Sequence, residues 1–236
     1  MSTLGFNSSR VRLDEENRAF GASLPAGARL LDAGAGDSPY RTHYAHTVYE
    51  SADFEQVDRA YGETTYVCDL SDIPVEGERF DAVVFSQVME HLPEPRAVLA
   101  ELFRVLKPGG RMLYSAPLFY EEHDVPYDFY RYTSYGVRHL MAQAGFTVDR
   151  LDWLEGYYGT VAYQLNRMAK YLPTRPAEVA PGLTGWLAAP AVAALRVVAA
   201  GGSVVLHRLE VRKKHTASGY PKNFVAIVRK PDPGAL

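Results

Sequence analysis

Ala28-Arg29-Leu30-Leu31-Asp32-Ala33-Gly34-Ala35-Gly36-Asp37-Ser38 is the stretch whose reading decides the fold of this chain. Leu30 and Leu31 are adjacent apolar residues, as in a strand buried on both faces, and the run ends in a turn of small residues. Gly34 and Gly36 have no Cβ, so each can take φ > 0 and let a ligand approach the backbone. A helix opening near Ser38-Pro39 would point its unpaired N–H groups at that ligand. A dinucleotide fingerprint needs a third glycine where this chain has Pro39, and no G-x-x-x-x-G-K-[ST] is present to cradle a triphosphate. Asp53 lies about twenty residues beyond Asp32, at the end of the next strand-like run, where an acid can grip a ribose. The pattern asks for a ligand with a ribose and no pyrophosphate.

Outward from that turn, strand-like and helical runs alternate. The strand-like runs are 29–33, 47–52, 65–68, 80–86, 111–116 and 146–154, and helical patterns are clearest over 95–106 and 134–144. In the first helix Val98, Leu102, Val105 and Leu106 recur at three- and four-residue spacing and make one apolar face. Thr133 or Ser134 can cap the second, and Gly145 can end it. This alternation predicts right-handed βαβ units and a parallel sheet covered on both sides, an α/β fold of the doubly wound, Rossmann-like kind. Ligands of such sheets bind outside the carboxyl ends of the strands. Gly34 and Gly36, Asp53, Asp69, Ser86 and Gln87, and Ala116-Pro117 all fall at those ends and are expected to meet at one pocket. Residues 11–23 read as a helix ahead of the first strand, with Leu13, Asn17 and Phe20 on one side. It covers either the ligand or the sheet.

Five short motifs stand in order along this frame: Leu31-Asp32-Ala33-Gly34-Ala35-Gly36, Cys68-Asp69-Leu70, Phe80-Asp81-Ala82-Val83-Val84, Met89-Glu90-His91-Leu92 and Leu106-Lys107-Pro108-Gly109-Gly110. Over residues 28–155 they resemble class I S-adenosylmethionine-dependent methyltransferases, in particular the small-molecule, type 11 branch. The resemblance implies S-adenosylmethionine as cofactor and S-adenosylhomocysteine as product. It also implies a seven-stranded sheet closed by an antiparallel last strand, here 222–230. Asp69 would then take the adenine amino group, with Leu70 adding apolar contact and a backbone N–H. From the residues themselves, the Asp53 carboxylate can accept hydrogen bonds from both ribose hydroxyls, and Phe54 can lie against the adenine. Asp69 has a second reading, as the head of an Asx turn over Ser71 and Asp72. Asp32 either orients the glycine turn or meets the cofactor's amino group. Ser86 and Gln87 are expected at the methionine end. His91 either joins them or packs on the sheet against a backbone carbonyl.

Methyl transfer from a sulfonium asks the protein mainly to align the attacking atom with the methyl and to exclude water. For a hydroxyl nucleophile, a positioned base adds about two to four orders of magnitude. Such groups belong after the fifth strand, in 118–133, a run dense in Tyr, His and Asp. Its His123 and Asp128-Phe129-Tyr130-Arg131-Tyr132-Thr133 resemble a methyltransferase subgroup associated with saccharide or natural-product modification. Histidine is the side chain suited to proton transfer near neutral pH, so His123 is the expected general base, with Asp124 orienting it or acting itself. Tyr120, Tyr127, Tyr130, Arg131 and Tyr132 are expected to wall the acceptor pocket, since aromatic faces suit a sugar ring or a planar acceptor. Otherwise they only pack the loop against itself. No metal is expected: His43 and His46 stand three apart without a matching set of Asp, Glu or Cys.

Composition bounds the rest. The 236 residues are 47% hydrophobic and 22% charged, which suits one soluble domain with an insertion. A net charge of −3 argues against a nucleic-acid partner. Cys68, the only cysteine, excludes an intrachain disulfide and fits a reducing compartment. The first twelve residues contain no apolar signal run, so the cytoplasm is the expected location. The segment 156–221 departs from a minimal fold and reads as a helical insertion: a helix over 156–172, a proline-rich loop, then Leu183 to Leu206 with Arg196 as its only ionic residue. By length alone that stretch could span a bilayer, but Pro190, Arg196 and Gly201-Gly202 interrupt it. It is expected to form a helical pair on the sheet, a homodimer surface, or an interfacial helix touching a membrane. The basic residues Arg208, Arg212, Lys213, Lys214 and His215 suit an acidic partner or a membrane surface. The functional expectation is an enzyme that methylates a hydroxyl of a small saccharide or natural product, lipid-linked in view of the insertion. The alternative is a non-catalytic nucleoside-binding regulator or scaffold with the same fold.

Overall fold

The computed structural model describes residues 8–56 and 61–234. They form two compact units: 13–154 with 223–234, and 8–12 with 155–222. The first is built on a seven-stranded sheet of β1 (Arg29–Ala33), β2 (Val48–Asp53), β3 (Tyr66–Val67), β4 (Phe80–Ser86), β5 (Leu106–Pro117), β6 (Thr147–Trp153) and β7 (Asn223–Arg229). The spatial order is β3-β2-β1-β4-β5-β7-β6. β1 to β5 pair in parallel, and β7 runs antiparallel to both β5 and β6. This is the doubly wound, Rossmann-like arrangement closed by an antiparallel strand. The chain leaves β1 toward β2 on one side and returns to β4 on the other, so a crevice opens at the carboxyl ends of these strands.

Alternation along the strands builds two apolar layers. Leu30 packs with Ala82, Val84, Leu113 and Val225, while Leu31 packs on the opposite face with Val83, Phe85, Met112 and Tyr114. Helix α1 (Ser8–Ala22) brings Leu13 and Phe20 to the Leu30 face. Its Asn17 is buried, donating to the Leu13 carbonyl and accepting from the Tyr44 hydroxyl. Of the two readings of this helix, the structure shows it covering the sheet. Helices α2 (Pro95–Val105) and α3 (Ser134–Gln143) cover the Leu31 face through Val98, Leu99, Leu102, Val137 and Met141. Each such side chain contributes about 1.5–3 kcal/mol by leaving water. Thr133 caps α3 by accepting from the Gly136 N–H at 3.1 Å.

β5 begins at Leu106, five residues earlier than its apolar run. Gly109 takes φ +73°, and a Cβ on Gly110 would stand 2.7 Å from the Lys107 carbonyl oxygen. The two glycines thus permit an irregularity opposite Phe80–Ala82, which the Gly109 N–H anchors by donating to the Lys230 carbonyl.

The second unit is helical, with α4 (Tyr157–Tyr171), a single turn α5 (Pro176–Val179) and α6 (Gly182–Arg212). Small residues let α4 and α6 approach closely: a Cβ on Gly202 would stand 3.2 Å from Leu165, and Ser203 Oγ donates to the Ala162 carbonyl. The buried Glu210 carboxylate accepts from the N–H groups of Gly156 and Gly159, placing negative charge at the start of α4. Sequence reading expected interruptions at Pro190, Arg196 and Gly201-Gly202, whereas α6 runs unbroken for 31 residues. Pro190 removes only one backbone bond, to a turn around the exposed Trp186, where water can take the freed carbonyl. Among the described residues α6 is the one helix long and apolar enough to cross a membrane.

Candidate active site

A cavity of about 490 Å³ opens at the carboxyl edge of the sheet, within the range that holds small ligands. Gly34 from the β1 turn, Asp53 and Phe54 after β2, Asp69 and Leu70 after β3, and Gln87 after β4 line it. Four of the five strand ends expected to converge thus meet at one space, while Gly36 and the Ala116-Pro117 end of β5 are not part of its lining.

Gly34 and Gly36 hold φ of +76° and +55°. A Cβ on Gly34 would lie 2.4 Å from Val88 Cγ2, so the segment after β4 packs into the place a side chain would fill. Gly36 N–H donates to Asp53 Oδ2 and Glu55 N–H to Asp53 Oδ1, both at 2.9 Å. The buried carboxylate thereby locks the end of β2 to the glycine turn, and each oxygen keeps a second acceptor site. Asp32 lies beneath the turn, off the lining, and accepts from the Tyr49 hydroxyl. Burial, with the Asp53 charge adding to it, raises its carboxyl to about 6.

Asp69 serves in the Asx turn, accepting from the Ser71 N–H and hydroxyl at 2.8 Å each, and also borders the cavity. Ser86 is hydrogen-bonded to Ser115 Oγ at 2.7 Å and stands off the lining. Gln87 donates its side-chain amide to the same Ser115 Oγ and its N–H to the Ser115 carbonyl. Glu55, Gln87 and Asp124 all have φ between +50° and +59°. Left-handed residues other than glycine cost of order 1–3 kcal/mol, and here they aim the chain around the cavity rim.

The lining continues with His91 after β4 and with Asp124, Tyr127 and Phe129 of the run 118–133. His91 Nδ1 stands 2.6 Å from the Tyr127 carbonyl oxygen. A carbonyl can only accept, so Nδ1 holds the proton and Nε2 keeps its lone pair. Burial holds this imidazole below its usual pKa. Glu90, beside it, is fully buried, and that burial pushes its carboxyl up to about 8.

The remaining residues of 118–133 hold the loop together. Arg131 grips Asp128 at 2.5 and 2.7 Å and donates to the Tyr120 and Glu121 carbonyls. This grip, with the His123 N–H, holds Asp128 down to about 2. Tyr132 is buried with its hydroxyl on the Met89 carbonyl, and the Tyr130 hydroxyl reaches the Pro93 carbonyl. Tyr120 meets the His123 ring edge-on at 4.9 Å. His123 itself lies just behind the lining, its ring 4.7 Å from that of His91. Of the five residues expected to wall the acceptor pocket, the structure brings Tyr127 to the cavity and sets Tyr120, Tyr130, Arg131 and Tyr132 in its support; of the two catalytic candidates, Asp124 lines the cavity and His123 does not. Sequence reading missed Phe129, although it stands inside the quoted run. It also missed the apolar wall of Val88, Leu92, Pro93 and Ala97, which has no periodic signal of its own.

Residues 31–114 match the family described as a methyltransferase domain. The chain is 36% identical over 101 residues to demethylmenaquinone methyltransferase of Clavibacter sepedonicus, a match covering 37% of this chain and 40% of that protein. It thus spans less than half the length of that curated relative. Among solved structures, the [4+2]-cyclase SpnF superposes with a TM-score of 0.57 at 20% identity, covering 95% of this chain and 82% of that one. The 1,6-didemethyltoxoflavin-N1-methyltransferase of Burkholderia thailandensis, solved with its acceptor and S-adenosylhomocysteine, superposes with a TM-score of 0.53 at 17% identity, covering 93% and 78%. At these identities the structural likeness shows the fold.

Proposed function

We propose that this chain, whose residues 31–114 match the methyltransferase-domain family, is an S-adenosylmethionine-dependent methyltransferase acting on a hydroxyl of a small-molecule acceptor. The observation that carries the reading is the one cavity bordered by Gly34, Asp53, Asp69 and Gln87 from four strand ends, with Asp124 and Tyr127 on its other side. Its donor set fits an adenosine: a buried carboxylate for the ribose, Phe54 as a face for the base, and the Asp69–Leu70 segment for the base edge. The cofactor, when bound, supplies a methyl group on a positively charged sulfur. The residues of this chain hold the acceptor in line with that methyl and shield it from water. Asp124 takes the proton of the acceptor hydroxyl, with His123 behind it. With the cofactor bound, that oxygen would take the methyl group as the carbon–sulfur bond broke and its electron pair stayed on sulfur.

The acceptor class we favour is a saccharide or natural product attached to a lipid, because α6 offers an apolar face that a membrane surface would cover. Peripheral attachment in the cytoplasm follows from that choice. Calorimetry with S-adenosylhomocysteine tests the cofactor: binding of one molecule per chain is expected, weakened about a hundred-fold in Asp53→Ala, the loss of two charge-assisted hydrogen bonds. Absence of binding in the parent protein overturns the assignment. Binding without methyl turnover on a panel of lipid-linked and free acceptors would favour the regulatory alternative.

A further inference from the structure

We infer that Glu90, His91 and His123 form a binding site for one divalent first-row transition-metal ion at the acceptor end of the cavity. One donor atom from each lies within 4.8 Å of the other two. Two imidazoles and one carboxylate are a donor set these ions take while keeping positions open for a further ligand. The Glu90 carboxylate is the decisive group. Its side chain is fully buried, and neither oxygen has a hydrogen-bond partner among the described residues. A buried carboxylate left unpaired is costly, and a cation held between the three groups removes that cost.

The surroundings match a ligand shell. His91 Nε2 lies 3.7 Å from Glu90 Oε1 and 3.9 Å from Asp124 Oδ2. Its Nδ1 is taken by the Tyr127 carbonyl, the kind of outer bond that orients a ligating imidazole and leaves the other nitrogen for a metal. His123 Nδ1 stands 3.3 Å from Asp128 Oδ2, a carboxylate that Arg131 fixes in place. Glu90 and His91 belong to the single turn Met89–His91 after β4, and His123 to the loop after the neighbouring β5. Pairing of those two strands brings the ligands together, which linear spacing could not show. His91 and Asp124 also line the cavity, so an ion here faces an incoming hydroxyl and lowers its pKa. That role rests on the methyltransferase reading; the site itself does not.

The test is titration of the metal-stripped full chain with Co²⁺, read by visible d–d absorption, followed by displacement with Zn²⁺. We expect one Co²⁺ per chain, displaced stoichiometrically, with affinity reduced at least about ten-fold in both His123→Ala and the near-isosteric Glu90→Gln. His43→Ala, outside the cluster, should bind as the parent does. No saturable band, or a band that persists unchanged in both variants, overturns the site and leaves Glu90 as a protonated acid. S-adenosylhomocysteine calorimetry on the same samples keeps the two questions apart: cofactor binding without Co²⁺ binding rejects the metal site alone, and the converse rejects only the methyltransferase reading.

Discussion

In the sheet-bearing unit Leu31, Val83, Phe85, Leu99, Leu102 and Met112 are withdrawn from solvent, whereas α6 of the helical unit leaves Leu183 74% and Trp186 70% exposed. The first region buries apolar residues of every size on two faces of a sheet and so fixes the strand ends to which Asp53, Asp69 and Gln87 are attached. Within the second, α6 meets α4 along a narrow strip, where Ala199, Ser203 and Glu210 are the buried residues toward its C-terminal half. Two of those three act through polar contacts to α4. Similar apolar content therefore has different outcomes: side chains withdrawn around the strand ends in one unit, and an apolar surface left exposed in the other.

The largest effect that would sharpen this contrast is in the core. Leu99→Ala should cost about 2–5 kcal/mol in denaturant unfolding, while Leu187→Ala should stay within about 0.5 kcal/mol of the parent. Equal costs would break the comparison. Next is a pH effect confined to the sheet unit. Asp32 has a native pKa of about 6 against an unfolded 3.8, so between those values the native state holds a proton that the unfolded state has lost. Stability from this group is present below pH about 4 and is lost as pH rises through about 6, on the order of 2–3 kcal/mol. Asp32→Asn should flatten that slope in melts measured across this range. The smallest effect on folding, and the most informative for α6, comes from Trp186→Ser with Leu187→Ser. The double variant should melt as the parent does, yet lose several-fold in co-sedimentation with anionic vesicles. Undiminished sedimentation would assign that surface to something other than lipid.

Much of the sheet unit was legible because its signals are local. The runs 29–33 and 80–86 coincide with β1 and β4, since consecutive apolar residues flanked by turn-formers leave a buried strand few alternatives, and the last strand expected over 222–230 is β7 at Asn223–Arg229. β5 was cut short because Pro108-Gly109-Gly110 looks like a loop. Pairing with β4 and the backbone bonds that Gly109 and Gly110 make with Lys230 hold it in the sheet. α6 was misjudged for the opposite reason: Pro190 and Gly201-Gly202 weaken a helix by amounts a long run of Ala, Leu and Val can offset. At the site, Asp53 could be named from its spacing and Asp69 from its motif, and both border the cavity. The division of 118–133 into lining and support could not, because Tyr127 and Tyr130 are the same residue type three positions apart.

By itself, then, the sequence determined the order of strands and helices, the glycine turn after β1 and the acids that follow β2 and β3, all of which arise from neighbouring residues and the period of a strand or helix. Tertiary structure alone decided that Val88 fills the space beside Gly34, that Arg131 spends itself on Asp128, and that Glu90 and His91 stand against His123. Those relations depend on which strands lie side by side, and side-chain packing across a sheet leaves no mark in the linear spacing of the residues it joins.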